Sequence, residues 1–227
     1  LRLERLTLLV EGLSEEMVGV RRPWQQLLPA GRLSDYHRPP PGGRWCLVQL
    51  GRPAAPVVGP DDAAIPRDVE RYRRHSPFVQ SDDPRVSAQA SQIAGTLSAP
   101  WDRVVALNQW VFSTLKKRLT VGLPSALDVL FMLEGDCHEH AVLMTALARS
   151  LGIPARMVAG LVYQSGRFYY HAWLEVWIGG SWIPTDPTLG QPIADVTHLG
   201  LLEADNESLT ALGQFIGKLK IDVVEAK

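Results

Sequence analysis

The sequence predicts an α+β protein in which helices come first and an antiparallel sheet follows. Helix-start signals recur near positions 83, 100, 125 and 136, and apolar residues follow at helical spacing. Strand patterns joined by glycine turns then run from 156 to 186. Ahead of both lies a proline-dense stretch holding short strand-like runs.

That first stretch, 1–66, reads as a small β-rich or irregular segment, the remnant of a larger truncated domain, and 67–227 as the main domain. Leu6, Leu8 and Val10 alternate with Thr7 and Leu9, and a second strand is expected at Arg44–Leu50. Pro39, Pro40, Pro41, Gly42 and Gly43, then Pro53, Pro56, Pro60 and Pro66, break helices and suit loops and edges. The chain opens at Leu1 in a strand-like run, which reads as a processed form or a fragment of a larger N-terminal domain, so a targeting segment is not legible.

Bulk composition narrows the function classes. An apolar content of 46% is that of a globular protein. A net charge of −1 without basic runs predicts no nucleic-acid partner and no attraction to anionic lipid. No apolar run approaches the roughly 20 residues that span a bilayer. With only Cys46 and Cys137, a disulfide scaffold is not expected in a chain whose core can stabilise it unaided.

The helices follow in order. Asp83 caps and Pro84 opens a helix carrying Val86, Ala90, Ile93, Ala94 and Leu97 on one face. Ser98 and Pro100 repeat the signal for a helix that turns Val104, Val105, Leu107, Val111, Phe112 and Leu115 to a core. A short third helix runs from its cap Ser125 to Leu133. The fourth begins at Asp136, whose spacing to Glu139 makes a capping box, and stops at Gly152 and Pro154.

Cys137 falls in the first turn of that fourth helix. Free N–H groups and the positive end of the helix dipole there favour a thiolate and can hold an oxyanion. The bland reading of a free cysteine is a small buried hydrophobe, but the apolar stripe of this helix, Val142, Leu143, Ala146 and Leu147, starts later. Cys137, His138 and His140 also suggest metal ligands, yet no second cluster follows at zinc-site spacing. No metal and no cofactor are expected.

Arg156–Gln164 is mostly apolar, as a strand covered on both faces would be. After the turn Ser165-Gly166-Arg167, the run Phe168–Ile178 alternates and places His171, Trp173, Glu175 and Trp177 on one side. Gly179-Gly180 signals a hairpin. If Ile178 pairs with Ser181, Trp173 stands opposite Asp186, and Asp186 shares a face with His171. A slip of one residue would separate them. A helix-start cysteine, a strand histidine and a same-face aspartate form the arrangement that nucleophilic cysteine chemistry requires.

Gly-Asp-Cys-His-Glu-His-Ala at 135–141, Gly-Ile-Pro-Ala-Arg at 152–156, Tyr-His-Ala-Trp-Leu-Glu-Val at 170–176 and Trp-Ile-Pro-Thr-Asp-Pro-Thr at 182–188 resemble the bacterial transglutaminase-like proteins. The match runs from about Asp83 to about Gln191 with its blocks in the family's order. The resemblance implies a papain-like core, with helices packed on an antiparallel β-sheet, and makes 67–227 the catalytic domain. It places the nucleophile on Cys137, the general base and acid on His171 and the orienting carboxylate on Asp186. It further implies an upstream aromatic or amide side chain completing an oxyanion hole, with Trp101, Gln109 and Trp110 as candidates; Trp173, beside His171, is read first as packing and second as a candidate for shaping the substrate channel. The tail Ile193–His198 and the strand-like Leu219–Val224 read as extensions of the core, with a structural or surface role for His198 favoured over an approach to the site, and calcium control is not expected.

The expected activity is cysteine-dependent acyl transfer on a peptide or glutamine-type amide through a thioester, with hydrolysis favoured over transfer to an amine. Rival readings are a binding or scaffold module that has lost activity and a metal-dependent hydrolase. The partner is a protein or peptide substrate. A bacterial location in cytoplasm or periplasm stays open, as does the oligomeric state.

Overall fold

A computed structural model of the chain describes residues 3–13, 22–29, 31–32, 45–56, 65–120, 122–204 and 217–227. The run 39–44 and Pro60, to which loop and strand-edge roles were assigned above, lie outside the described residues, as does Leu1. The elements in chain order are β1 (Arg5–Glu11), β2 (Gln25–Leu28), β3 (Trp45–Gly51), α1 (Arg67–Glu70), α2 (Pro84–Ala94) and α3 (Pro100–Thr114). They continue with β4 (Lys116–Lys117), α4 (Ala126–Met132), β5 (Glu134–Gly135), α5 (Cys137–Ser150), β6 (Ala155–Gln164), β7 (Arg167–Ile178), β8 (Ser181–Thr185), β9 (His198–Ala204) and β10 (Lys220–Ala226). The architecture is α+β, as expected, with antiparallel pairing in the sheet of β1, β2, β3 and β10 and in the β7–β8 hairpin.

The chain divides into two compact units that interleave along the sequence. One comprises Leu1–Pro53, Ala159–Tyr170 and Asp195–Lys227. Its sheet runs β10-β1-β3-β2, and β1 is antiparallel to β3 with Leu8 opposite Val48. Leu6, Leu8, Val10, Val48 and Leu50 meet Leu161, Leu199 and Leu201 in one buried core. Short polar strand β2 gave no alternating signal in the sequence; Gln25 earns its place by exchanging hydrogen bonds of 2.9 Å with the Gly200 backbone in both directions. His198 is buried in this unit and held by Asp195, whose carbonyl lies 3.2 Å from its Nδ1.

The other unit comprises Ala54–Val158 and His171–Ala194. Asp83 caps α2 by accepting from the Arg85 N–H at 2.9 Å, and α2 ends at Ala94, so Leu97 lies beyond the helix rather than on its face. The N-cap of α3 is Ala99, without a side-chain cap, rather than Ser98. Its buried face is Val104, Leu107, Asn108 and Val111, whereas Val105 and Phe112 are only half-buried. Ser125 and Asp128 close a capping box on α4, and Leu133 ends that helix at φ 51°.

Helix α5 is the centre of this unit. Every residue from His138 to Ala148 is buried, because α2, α3 and α4 all pack on it. The two-residue strands β4 and β5 pair in parallel just before it. After the Gly152 turn, at φ 77°, β6 leads into β7 and β8. Arg156 on β6 forms a buried ion pair with Glu175 on β7 at 2.6 Å, and its guanidinium lies 4.1 Å from the centre of the Trp182 ring. No helix among the described residues is long and apolar enough to cross a membrane.

Candidate active site

The site residues come from α5, β7 and the end of β8. Cys137 is the first residue of α5, half-buried and free of any disulfide. The helix start around it is held from several directions. The Asp136 carboxylate accepts from the His138 N–H at 3.0 Å, and Glu139 Oε2 accepts from the Asp136 N–H at 2.8 Å. Glu139 Oε1 accepts from the Thr120 hydroxyl at 2.7 Å. A Cβ at Gly135 would lie 2.2 Å from the Glu139 Cβ, so a glycine there is what lets the Glu139 side chain fold back over the turn.

These two carboxylates share a crowded place. Burial and the hydrogen bond with Glu139 push Asp136 up to about 6. For Glu139, burial opposes ionisation, but His138, Asp136 and Thr120 together hold its carboxyl below the usual range. Asp136 therefore takes up the first proton as pH falls, while Glu139 stays ionised.

The hairpin register is the one read from the sequence: Ile178 pairs with Ser181 and Leu174 with Thr185. Asp186 then leaves the strand to exchange backbone hydrogen bonds of 2.9 Å with Gln191. Its side chain stays on the His171 face, and Oδ2 meets His171 Nε2 at 2.7 Å. The other oxygen accepts from the Thr188 N–H at 2.7 Å and the Leu189 N–H at 3.1 Å. Both carboxylate oxygens are thus used, and the side chain is fully buried.

The Cys137 thiol is a second hydrogen-bond partner of the same imidazole. Burial of His171 opposes protonation, but the hydrogen bonds to Asp186 and to Cys137 outweigh it and push the imidazole up to about 9. The fold therefore brings Cys137, His171 and Asp186 together in one chain of contacts. An imidazole so placed can pass protons to and from a substrate bound at the sulfur.

The other sequence candidates are distributed differently. Trp173 is fully buried, its ring stacked 6.0 Å from the His171 ring. Trp101 and Trp110 are half-buried on α3, and Gln109 is exposed there. The amide that α3 turns inward is Asn108, which donates to Thr185 Oγ1 at 2.9 Å and to the Gln191 carbonyl at 3.2 Å. It thus braces both sides of the Asp186 turn. Its signal was present in the sequence: Asn108 interrupts the stripe Val104, Leu107, Val111 with a polar side chain. Among the described residues, the ligand atoms of Cys137, His138 and His140 do not converge on one point, and His140 Nδ1 is spent on the Asp136 carbonyl at 2.6 Å.

Residues 87–187 match the profile of the Transglutaminase-like superfamily. An uncharacterized protein of Mycobacterium leprae is 36% identical over 116 residues, which make up 46% of this chain and 40% of that protein. A protein-glutamine gamma-glutamyltransferase of Pseudomonas aeruginosa is 33% identical over 124 residues, 47% of this chain and 18% of that enzyme. The chain thus spans less than half the length of either. Among solved structures, a candidate cysteine protease from Cytophaga hutchinsonii superposes with a TM-score of 0.62 at 18% identity, over 100% of this chain and 88% of that one. Such identity speaks to the fold alone, which is the papain-like, transglutaminase-like one. The helices and hairpin spanning residues 87–187 are thus the part of the chain that is similar to a transglutaminase-like core.

Proposed function

We propose that this protein is a cysteine-dependent enzyme acting on a peptide or glutamine-type amide through a thioester. Cys137 is its nucleophile, His171 its acid and base, and Asp186 its orienting carboxylate. The observation that supports this best is the 2.7 Å contact of Asp186 with His171 Nε2, because it leaves the remaining ring nitrogen to the Cys137 thiol.

The steps follow from that placement. His171 takes the thiol proton, the sulfur attacks the carbonyl carbon, a C–S bond forms, and helix-start N–H groups hold the oxyanion. His171 gives its proton to the departing nitrogen as the C–N bond breaks, and ammonia or an amine leaves. Acylation removes the thiol's contribution to the raised imidazole, so the ring moves back toward a base. It then takes a proton from water, whose oxygen attacks the thioester, and the C–S bond breaks to restore the sulfur. An amine substrate would follow the same course to transfer, the activity for which the Pseudomonas aeruginosa relative is named. Hydrolysis is favoured here, since water is always present and no amine-binding feature stands out.

Labelling with iodoacetamide across pH, on the native protein and its Cys137→Ala and His171→Ala forms, tests the assignment. The expected result is alkylation confined to Cys137, already rapid below pH 7 and slowed when His171 is absent. Alkylation that tracks an ordinary thiol near pKa ~8.5, with or without His171, would refute it. A glutamine peptide assayed with and without a primary amine then divides transfer from hydrolysis.

A further inference from the structure

One histidine of α5 has no part in the chemistry above. His140 sits one helical turn after Cys137 and is fully buried. Its Nδ1 lies 2.6 Å from the backbone carbonyl oxygen of Asp136. A carbonyl oxygen only accepts, so Nδ1 carries the hydrogen. The same oxygen also receives the His140 backbone N–H at 3.2 Å. Burial holds the ring's pKa below the ordinary value, which keeps it neutral, so Nε2 bears a lone pair. That nitrogen is buried and meets no hydrogen-bond partner among the described residues. An imidazole that leaves one nitrogen unmet costs stability that an apolar side chain would not. The position retains something other than packing.

The carbonyl that His140 grips belongs to the peptide unit joining Asp136 to Cys137. In a trans peptide the C=O and N–H point in opposite directions within one plane. Fixing the Asp136 oxygen therefore fixes where the Cys137 N–H points. The neighbouring donors are already engaged: the Asp136 N–H by Glu139, the His138 N–H by the Asp136 carboxylate and the His140 N–H by the Asp136 carbonyl. The Cys137 N–H has no partner among the described residues.

We infer that His140 is a positioning residue for acyl transfer: through Nδ1 it holds the Asp136–Cys137 peptide plane so that the Cys137 N–H faces the oxyanion that forms on the attacked carbonyl. This rests on the function proposed above. It adds a residue that acts through the Cys137 peptide on the steps that form an oxyanion, acylation and breakdown of the thioester.

The test compares two reactions of the same sulfur. Alkylation by iodoacetamide is a displacement at saturated carbon and forms no oxyanion, whereas acylation by p-nitrophenyl acetate does. In His140→Leu the single-turnover acylation rate is expected to fall on the order of 10²-fold, the scale of a misaligned reacting group, with alkylation within about twofold of native. His140→Asn places an amide N–H near the position of Nδ1 and is expected to recover most of the acylation rate. If His140→Leu does not fold, His140→Asn and His140→Asp carry the test, since the carboxylate cannot donate to the carbonyl and the amide can. Equal acylation rates in the donor and non-donor variants would overturn the inference, as would acylation and alkylation falling in proportion. Native protein that alkylates readily yet never acylates would instead remove the proposed function itself, and this inference with it.

Discussion

Asp186 holds His171 with one carboxylate oxygen, at 2.7 Å, while its other oxygen accepts the backbone N–H groups of Thr188 and Leu189. The aspartate is thus anchored to its own turn before it orients the ring, and Asn108 ties that turn to α3 through Thr185 and Gln191. A carboxylate fixed in this way cannot swing off the imidazole without breaking backbone contacts as well.

Asp186→Asn should lower the His171 pKa from its value of about 9, because the charged partner that raises it is gone. NMR titration of the ring reads this directly. Activity with any amide substrate should fall at least roughly 10²-fold, as the ring loses its orientation and an acid–base contribution of that size is forfeited. An unchanged titration would mean that Asp186 does not govern the ring.

Stability should decline through mildly alkaline pH. The ordinary histidine value of 6.5 describes the unfolded chain, and about 9 the folded one. The folded protein therefore holds this proton more tightly, and the resulting stabilisation is complete below pH 6.5 and lost as pH rises through about 9. Thermal midpoints at several pH values across that window should drop by roughly 5–10 °C. The His171→Gln form should show a flatter profile.

The two carboxylates at the head of α5 should respond oppositely to neutralisation. Asn caps a helix as well as Asp, and Asp136 ionises reluctantly beside Glu139. Asp136→Asn should therefore be neutral or stabilising at pH 7 in urea unfolding. Glu139→Gln places a donor where Thr120 and Asp136 both donate and should cost about 1–3 kcal/mol. Gly135→Ala should destabilise by a similar amount, about 1–3 kcal/mol, through the overlap of its Cβ with Glu139.

Arg156→Met leaves the Glu175 carboxylate buried without its guanidinium partner. A loss of about 3–5 kcal/mol is expected. The double variant Arg156→Met, Glu175→Leu should recover much of it, which chemical denaturation of the single and double forms would measure. A double variant no more stable than the single one would place the value of Arg156 in its contact with Trp182 rather than in its charge.

The local sequence determined the helix that starts at Cys137, since the Asp136–Glu139 spacing, the capped start and the Gly152 stop act within a few residues of one another. It also determined the β7–β8 register, because a two-glycine turn leaves little choice of pairing and period two then decides which face Asp186 shares. Tertiary structure decided what those local rules do not reach. Which amide of α3 turns inward, Asn108 or Gln109, depends on how the helix is rotated against α5 and the Asp186 turn. Which of Asp136 and Glu139 is protonated first depends on burial and on Thr120, nineteen residues upstream of Glu139. The segments 159–170 and 195–227 join the N-terminal strands into one unit because apolar faces far apart in the chain are buried together, and no local pattern specifies that partner.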